Sequence, residues 1–346
     1  MSNPEATAIP EDEVATDVRS VAWADVIRPA VIVLVAGLLA IPLVVSSSYI
    51  GYVALLILLF SVMASGYNMM LGWPNLLVFC PAALAITGGV TSALLTMQHE
   101  LPFIATLLIA GAVAAVVGTA VAASVIVIGS AFEIVIATLA FEQIVYYAFT
   151  NWERVGPTGV IGIPQPSIGP LTFASQVEQY VFLLAVLVLV VFLVAAFDRS
   201  LFGTLAIATS ENEELLRSIG YNPSKYKLVS VVLGAFILGV GGALYAHVNA
   251  LITPGSFVLD QTVFLLVIAV VGGLRTVYGP IVGAVLMVGL PEAVRSAGLG
   301  DFRPYFVGAT LILVILFLPR GLVGGVSDRF DFLDSNGGVS AWAFWK

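Results

Sequence analysis

Long runs of apolar residues recur along this chain and constrain its fold more than any other feature. A helix of about 20 apolar residues crosses the hydrocarbon core of a bilayer while satisfying its own backbone hydrogen bonds. Sixty per cent of the 346 residues are apolar and only 10% are charged, which is too few charges to cover a soluble domain. The sequence therefore predicts an all-α fold, a polytopic transmembrane helix bundle of about eight to ten spans. The candidate spans are Pro29–Val45, Ile50–Leu71, Leu76–Met97, Pro102–Ile128, Glu133–Phe149, Val181–Phe197, Leu228–Val248, Thr262–Leu274, Ile281–Val294 and Tyr305–Leu318.

The eighth and ninth candidate spans are shorter than the others. They flank a glycine-rich turn, Gly272–Pro280. Short apolar segments interrupted by glycine are typical of broken or tightly turned helices that are buried in protein. We therefore expect short or broken helices near residues 262–294.

The distribution of lysine and arginine predicts the orientation of the spans. If the spans alternate, ten of the 13 basic residues fall on one side of the membrane, and that side is expected to be cytoplasmic. Both termini then lie in the cytoplasm of a multi-pass protein of the cell membrane. Residues 1–28 are expected to form a disordered acidic cytoplasmic tail, residues 29–320 the transmembrane domain, and residues 321–346 a cytoplasmic or interfacial tail.

One polar stretch, Asp198–Lys227, separates two apolar runs in the second half of the chain, and we name it the polar island. It is expected to be a cytoplasmic loop of about thirty residues with a short amphipathic helix at Asn212–Ile219. Leu215, Leu216 and Ile219 would share the apolar face of this helix. That face either lies on lipid headgroups or docks into a soluble partner. The charged residues around it are expected to stay in water: Glu211, Glu213, Glu214 and Arg217.

Polar side chains inside the spans are the candidates for a translocation pathway, because polar groups at membrane depth are costly. Glu142 and Gln143 lie midway along the fifth span, with Thr138 one turn before Glu142. Glu142 either faces a wet path or makes a structural hydrogen bond to a neighbouring span. Asn68 either bridges helices or contacts the solute, and Thr91 either lines the path or bonds back to its own helix.

The sequence lacks the motifs that several classes of function require. There is no G-x-x-x-x-G-K-[ST] loop for ATP, no cluster of metal ligands and no G-x-S-x-G nucleophile elbow. The net charge of −8 and the absence of a basic patch argue against nucleic acid as a partner. We expect no catalytic residues and no metal site, and passage of a solute across the lipid bilayer rather than an enzymatic reaction.

Seven sequence blocks, in order along the chain, carry a resemblance to a known family. The blocks are Gly66–Gly72, Asn151-Trp152, Gly156–Pro164, Glu211–Gly220, Gly239–His247, Gly272–Pro280 and Pro319–Gly324. Together they resemble the membrane-spanning permease subunit of branched-chain amino-acid ABC importers, of the LivM type, with urea and amide permeases as close kin.

The resemblance implies a subunit that forms half of a translocation pathway. It implies a paralogous permease subunit, two cytoplasmic ABC ATPases and an extracytoplasmic solute-binding protein as partners. ATP would be bound by the ATPases, so no cofactor is expected in this chain. Residues 198–227 would be the coupling loop of the permease domain, and its ATPase-coupling residues would be Glu211, Asn212, Glu213, Leu215, Leu216, Arg217, Ile219 and Gly220. The family's outer loop would include Asn151, Trp152, Gly156, Pro157 and Gly159.

Two other functions stay open on the sequence. The chain has Phe264 where the family usually has a glutamate, so an ABC permease for urea or short amides is an alternative. A stand-alone channel or secondary carrier that uses Glu142 as a proton or cation site is the other.

Overall fold

The structure, a computed structural model, describes residues 23–41, 47–99, 101–127, 131–168, 171–173, 175–292, 308, 316 and 321–323. Most of these residues are helical. The helices are α1 (Trp23–Leu39), α2 (Ser48–Leu71), α3 (Pro81–His99), α4 (Phe103–Val127), α5 (Ala131–Thr150), α6 (Gln176–Asp198), α7 (Leu201–Glu211), α8 (Glu213–Ser218), α9 (Pro223–Asn249), α10 (Leu259–Gly272) and α11 (Gly279–Ala284). A π-helical segment, Val285–Gly289, continues α11, and a 3₁₀ turn, Pro254–Ser256, precedes α10. The short strands are β1 (Val160–Ile161), β2 (Ser167–Ile168), β3 (Leu171–Thr172) and β4 (Leu251–Ile252).

The predicted fold class, an all-α transmembrane bundle, is confirmed. Within the described residues, six helical segments are long and apolar enough to cross a bilayer, and two shorter apolar helices, Ile27–Leu39 and Gly279–Glu292, accompany them. The expected short helices near residues 262–294 are present as α10 and α11, which meet at the glycine-rich turn. Nearly all of the tenth candidate span, Tyr305–Leu318, and both tails lie outside the described residues.

The core of the bundle forms around α9, which packs against α2, α3 and α4. Glycines let these backbones approach closely, because a Cβ atom on Gly88 would collide with the backbone of Gly239, and one on Gly242 with the carbonyl of Ala85. Between α9 and α2, a Cβ atom on Gly66 would lie 2.8 Å from the carbonyl oxygen of Gly234. These small residues place α9 at the centre of the bundle.

The third helix begins later than the sequence predicted. The candidate span started at Leu76, but residues 73–80 are not helical and α3 starts at Pro81. Proline suits the first position of a helix because that position needs no N–H donor. Two hydrogen bonds that involve side chains hold the extended segment: Tyr67 Oη donates to the Val78 carbonyl at 2.9 Å, and Phe79 N donates to Thr138 Oγ1 at 2.9 Å.

The expectation that the polar island is mainly a loop is wrong. Helices α7 and α8 fill most of it, and its last residues form the first turn of α9. The side chain of Ser200 caps α7 by accepting from Gly203 N at 3.2 Å, and Asn222 caps α9 by accepting from Ser224 N at 3.1 Å. The sequence analysis missed α7, because its apolar residues were read as part of a polar loop.

Polar contacts divide the bundle into two ends. At the end that carries the polar island, which we call the island end, Trp73 Nε1 donates to Asp198 Oδ1 at 2.9 Å. At the other end, the loop end, Tyr52 Oη donates to Asn249 Oδ1 at 2.9 Å and β1 pairs with β4 in an antiparallel manner. Spans that alternate in direction, as the sequence predicted, would bring these residues together at the two ends of the bundle.

We expect Gly242→Ala to lower the apparent Tm of the purified protein. Alanine normally favours a helix over glycine by about 1 kcal/mol, but here its methyl group would collide with the Ala85 carbonyl. Overpacking of this kind costs about 1–3 kcal/mol, so the net effect is destabilising. Gly255→Ala is the control, because a Cβ atom there meets nothing within 4 Å. Equal Tm values for the two variants in a detergent unfolding assay would contradict this packing.

Candidate functional site

Two asparagine caps define the short helix in the middle of the polar island. Asn212 has extended backbone angles (φ −154°, ψ 98°), which end α7, and its Oδ1 accepts from Leu215 N at 2.9 Å, which starts α8. After α8, Gly220 takes a positive φ of 90°, and Asn222 then begins α9. Helix α8 is therefore held as a single short helix between two turns.

The apolar residues of α8 do not share one face, which corrects the sequence expectation. Leu216 is 5% exposed and packs into the hydrophobic core, whereas Leu215 is 60% exposed and Ile219 is 62% exposed. Leu216 anchors α8 to the bundle, and Leu215 and Ile219, four residues apart, project from it. We name Leu215 and Ile219 the α8 apolar face.

Glu213 fixes α8 against the start of α9. Its carboxylate accepts from Lys227 Nζ at 2.6 Å and from Arg217 Nη2 at 2.8 Å. The hydrogen bond from Lys227, with the positive charges of Lys227 and Arg217, holds the pKa of Glu213 below its usual value. Glu211 and Glu214 are exposed, so acidic side chains border the α8 apolar face.

Arg275 ties the polar island to the membrane helices. Its Nη2 donates to Ser210 Oγ at 2.6 Å on α7, and its Nε donates to the carbonyl of Gly72, just after α2, at 2.8 Å. Asn68 on α2 completes the link, because its Nδ2 donates to the Thr276 carbonyl at 3.0 Å. Arg275 itself takes a positive φ of 61°, a conformation that these bonds maintain. We name Asn68, Gly72, Ser210, Arg275 and Thr276 the Arg275 junction.

Glu142 lies deep in the bundle, where α5 meets α10. The residue is 1% exposed, and its Oε2 accepts from Thr262 Oγ1 at 2.5 Å. Its other oxygen, Oε1, has no hydrogen-bond partner among the described residues. Thr262 also accepts from Ala82 N at 3.4 Å, so one polar cluster joins α5, α10 and the start of α3.

The other residues that the sequence predicted to line the pathway either make separate structural hydrogen bonds or lie on a different face from Glu142. Thr138 is buried and accepts from Phe79 N, as described above, while Gln143 is exposed on another face of α5. Thr91 donates back to the Thr87 carbonyl of its own helix at 2.7 Å. Asn68 belongs to the Arg275 junction at the island end. The five residues therefore do not line one continuous surface in this conformation.

The predicted outer-loop residues lie together at the loop end of the bundle. Gly156 and Gly159 take positive φ values of 66° and 75°, which non-glycine residues rarely adopt. A Cβ atom on Gly159 would also collide with the backbone of Ile252 on β4. Three further residues of the loop are exposed: Asn151, Trp152 and Pro157.

The sequence analysis missed a cavity of about 350 Å³ beside α10. Its polar residues stand at or near the start of α10 and at the far end of the helix that follows it. They are Ser256, Asp260, Gln261 and Glu292. The signal was present as the run Asp260-Gln261-Thr262, but the eighth span was drawn from Thr262 onwards. Asp260 therefore fell outside the spans that were searched, and Glu292, inside the ninth candidate span, was not singled out.

Comparison with known proteins gives the family. Residues 49–315 match the profile described as "branched-chain amino acid transport system / permease component". The chain belongs to this permease family. It is similar to the high-affinity branched-chain amino acid transport system permease protein LivM of Escherichia coli, with 27% identity over 299 residues that cover 78% of this chain and 69% of LivM.

Two other permeases are similar over shorter stretches of the chain. The permease LivH of Escherichia coli is 29% identical over 167 residues, 48% of this chain and 52% of LivH. BraD of Pseudomonas aeruginosa is 30% identical over 129 residues, 37% of this chain and 41% of BraD. No solved structure matches this chain.

Membership of the permease family confirms the resemblance drawn from the seven sequence blocks. It also makes the protein a multi-pass membrane permease, in agreement with the six helices that are long enough to span a bilayer. The matched region includes the polar island, the Arg275 junction and the cavity beside α10, so all three belong to the permease core.

We expect the stabilising effect of Glu213 on α8 of the permease to depend on pH. The pKa of Glu213 is lowered on folding, so its contribution is present above the unfolded pKa of about 4.3 and is lost as pH falls through the folded value. Because its side chain is 35% exposed, Glu213→Gln should weaken α8 at pH 7 by less than about 1 kcal/mol.

The measurement is amide hydrogen exchange of α8, compared between variant and unmodified protein at each pH. The difference should shrink as the pH falls below the unfolded pKa of Glu213 and vanish once the pH is below its lowered folded pKa. Glu214→Gln is the matched control, since this neighbouring carboxylate is exposed and makes no ion pair within the described residues. An equal effect of the two substitutions at pH 7 would show that the contacts of Glu213 are not stabilising.

Proposed function

We propose that this permease is the membrane-spanning subunit of an ATP-driven importer for branched-chain amino acids. It forms half of the translocation pathway and takes its energy from separate ATPase subunits. The observation that carries the proposal is the α8 apolar face, which projects from the island end of the bundle on a helix anchored by Leu216 and Glu213. A short, rigid helix that exposes two large aliphatic side chains is suited to docking.

The charges around α8 favour a protein partner over the lipid surface. Helices that lie on membranes carry lysine and arginine on the polar face, because the lipids are anionic. Around α8, Glu213 is paired with Arg217 and Lys227, so the carboxylates without an ion pair among the described residues are those of Glu211 and Glu214. Acidic side chains would be repelled by such a surface, whereas a basic cleft on a soluble protein would accept them.

The Arg275 junction supports a route from the docking site to the membrane helices. A partner that moves α8 also moves α7, to which it is joined through Asn212. Ser210 at the end of α7 bonds Arg275, and Arg275 bonds Gly72 at the end of α2. Polar networks with defined geometry can transmit rigid-body motion of this kind between elements.

The remaining partners and boundaries follow from the same proposal. The relatives include both LivM and LivH, and the printed names of both describe permeases of one kind of transport system, which supports a paralogous permease as the second half of the pathway. Two cytoplasmic ATPases bind ATP, and an extracytoplasmic solute-binding protein delivers the amino acid. The permease domain spans residues 29–320 with coupling segment 198–227, both termini are cytoplasmic, and the chain carries no catalytic site of its own.

We expect the double substitution Leu215→Ala and Ile219→Ala to reduce ATP-driven leucine uptake at least tenfold. The substitutions remove the docking side chains but leave the buried anchor Leu216 in place. Uptake is measured in proteoliposomes that contain the complete transporter, with ATP supplied on the ATPase side. Glu214→Ala on the same helix is the matched control and should stay within about twofold of the unmodified rate, because rim charges contribute little to affinity.

Three results would contradict the proposal. The first is unchanged uptake by the double variant. The second is uptake that continues without ATP and collapses with the proton gradient, which would instead indicate a secondary carrier that uses Glu142. The third is inhibition of leucine uptake by urea at equal concentration, which would indicate an importer of urea or short amides.

We expect Arg275→Leu to uncouple the transporter. The substitution removes the bonds to Ser210 and Gly72, so motion of α7 would no longer reach α2. ATP hydrolysis by the assembled transporter should stay within about threefold of the normal rate while leucine uptake falls about tenfold or more, a factor that corresponds to about 1.4 kcal/mol of lost coupling. Arg154→Leu, at the loop end, is the control, since its bond to Gln98 lies far from the junction. Parallel loss of hydrolysis and uptake would show that Arg275 is needed for assembly rather than for coupling.

A further inference from the structure

The cavity beside α10 combines an apolar wall with charged groups. Leu56 and Phe60 of α2 and Phe264 of α10 form the apolar wall, and the rings of Phe60 and Phe264 meet edge to face with centroids 5.2 Å apart. Its volume of about 350 Å³ lies within the usual range for small-molecule sites, roughly 300–1,000 Å³. We name it the α10 cavity.

The α10 cavity lies at membrane depth. Asn68 marks the island end of α2, and Phe60 and Leu56 lie about 12 and 18 Å further along that helix at 1.5 Å per residue. The hydrocarbon core is about 30 Å thick. Helix α10 rises about 21 Å over its 14 residues, and its first residues, Leu259 and Asp260, are exposed. A solute that crosses this permease passes the level of the cavity.

Two carboxylates face the α10 cavity. Asp260 is exposed and makes no ion pair or hydrogen bond within the described part of the chain. Glu292 comes from the opposite wall and accepts a hydrogen bond from Tyr49 Oη. A charged side chain turned towards hydrocarbon is costly, so this face of the bundle meets water or another subunit rather than lipid.

Hydrogen-bond donors stand beside the carboxylates. Gln261 lines the cavity, and its amide nitrogen Nε2 is buried without an acceptor among the described residues. Val258, at the N-cap position of α10, provides no side-chain hydrogen bond to the helix start. A buried donor without a partner is uncommon, and a ligand oxygen near the helix start would satisfy Gln261 Nε2.

We propose that the α10 cavity binds the transported solute inside the membrane and selects an aliphatic α-amino acid, with Asp260 and Glu292 accepting its ammonium group. Gln261 and the start of α10 take the carboxylate, and Leu56, Phe60 and Phe264 contact the aliphatic side chain. This inference rests on the proposed function, because it assigns a cargo site to that transporter. Such a site would discriminate against neutral amides, which offer no charge to the two carboxylates.

The test measures binding of L-[³H]leucine to the assembled transporter in lipid nanodiscs without the solute-binding protein. We expect Asp260→Asn to weaken binding at least tenfold and Glu292→Gln about threefold or more. Asp260→Glu, which keeps the charge, should bind within about threefold of the unmodified transporter. Glu153→Gln is the control, because this carboxylate lies in the outer loop, away from the cavity.

Competition with leucine analogues tests which group the cavity recognises. Isopentylamine, which lacks the carboxylate, should displace leucine, and this displacement should be lost in Asp260→Asn. 4-Methylpentanoate, which lacks the ammonium group, and urea should not displace it. Leucine binding by Asp260→Asn at the unmodified affinity, or displacement by 4-methylpentanoate as strong as by isopentylamine, would overturn the assignment.

Two further readouts separate the possible failures. If Asp260→Asn does not assemble, Glu292→Gln decides, because glutamine keeps an oxygen that can accept from Tyr49. If the chain does not assemble with ATPases at all, the proposed function fails, and the same binding assay on the chain alone still tests the α10 cavity. If ATP drives uptake but none of the cavity variants changes leucine binding, the proposed function stands and the cargo site is wrong.

Discussion

The close approach of α9 to its neighbours is the constraint on which the rest of this structure depends. Lipid tails are as apolar as leucine, so burial of apolar area cannot by itself drive membrane helices together. Glycines at the crossings instead let backbones meet, as at Gly88 with Gly239 and Gly242 with Ala85. Because α9 starts at the polar island and ends beside β4, this central helix also connects the two ends of the bundle. A displacement of the island therefore acts directly on the core.

Three groups of polar contacts gather around α10 and the turn that follows it. At the island end, the Arg275 junction joins α2, α7 and the glycine-rich turn through bonds of 2.6–3.0 Å. In the first turn of α10, Thr262 links this helix to Glu142 of α5. Towards the loop end, Asp260 and Glu292 border the α10 cavity. All three groups involve α10 or the turn that follows it, so this short helix is an element that they share.

Under the proposed function, energy input and passage of the solute take place in different parts of the chain. The chain carries no nucleotide loop, yet the proposed docking helix α8 stands at one end, and the polar cavity lies far along the bundle from it. Under the proposed function, ATPases act on the α8 apolar face and the solute meets α10. The Arg275 junction connects these two regions through hydrogen bonds, since it joins α7 to α2 and to the turn at the end of α10.

The sequence alone determined the class of this protein, its family and most of its spans, because apolar runs of bilayer length and ordered glycine-rich blocks are local signals. It also located α8, since Asn212 and Gly220 bound it. It did not show that α7 is a separate helix, that α3 starts at Pro81, or that Leu216 points away from Leu215 and Ile219. Those features depend on which neighbour each side chain meets, and periodicity in helices that are apolar all round does not specify a direction. Only the tertiary structure placed Arg275 against Ser210, Thr262 against Glu142, and Asp260 in a cavity with Glu292, because each of these pairs joins residues far apart in the chain.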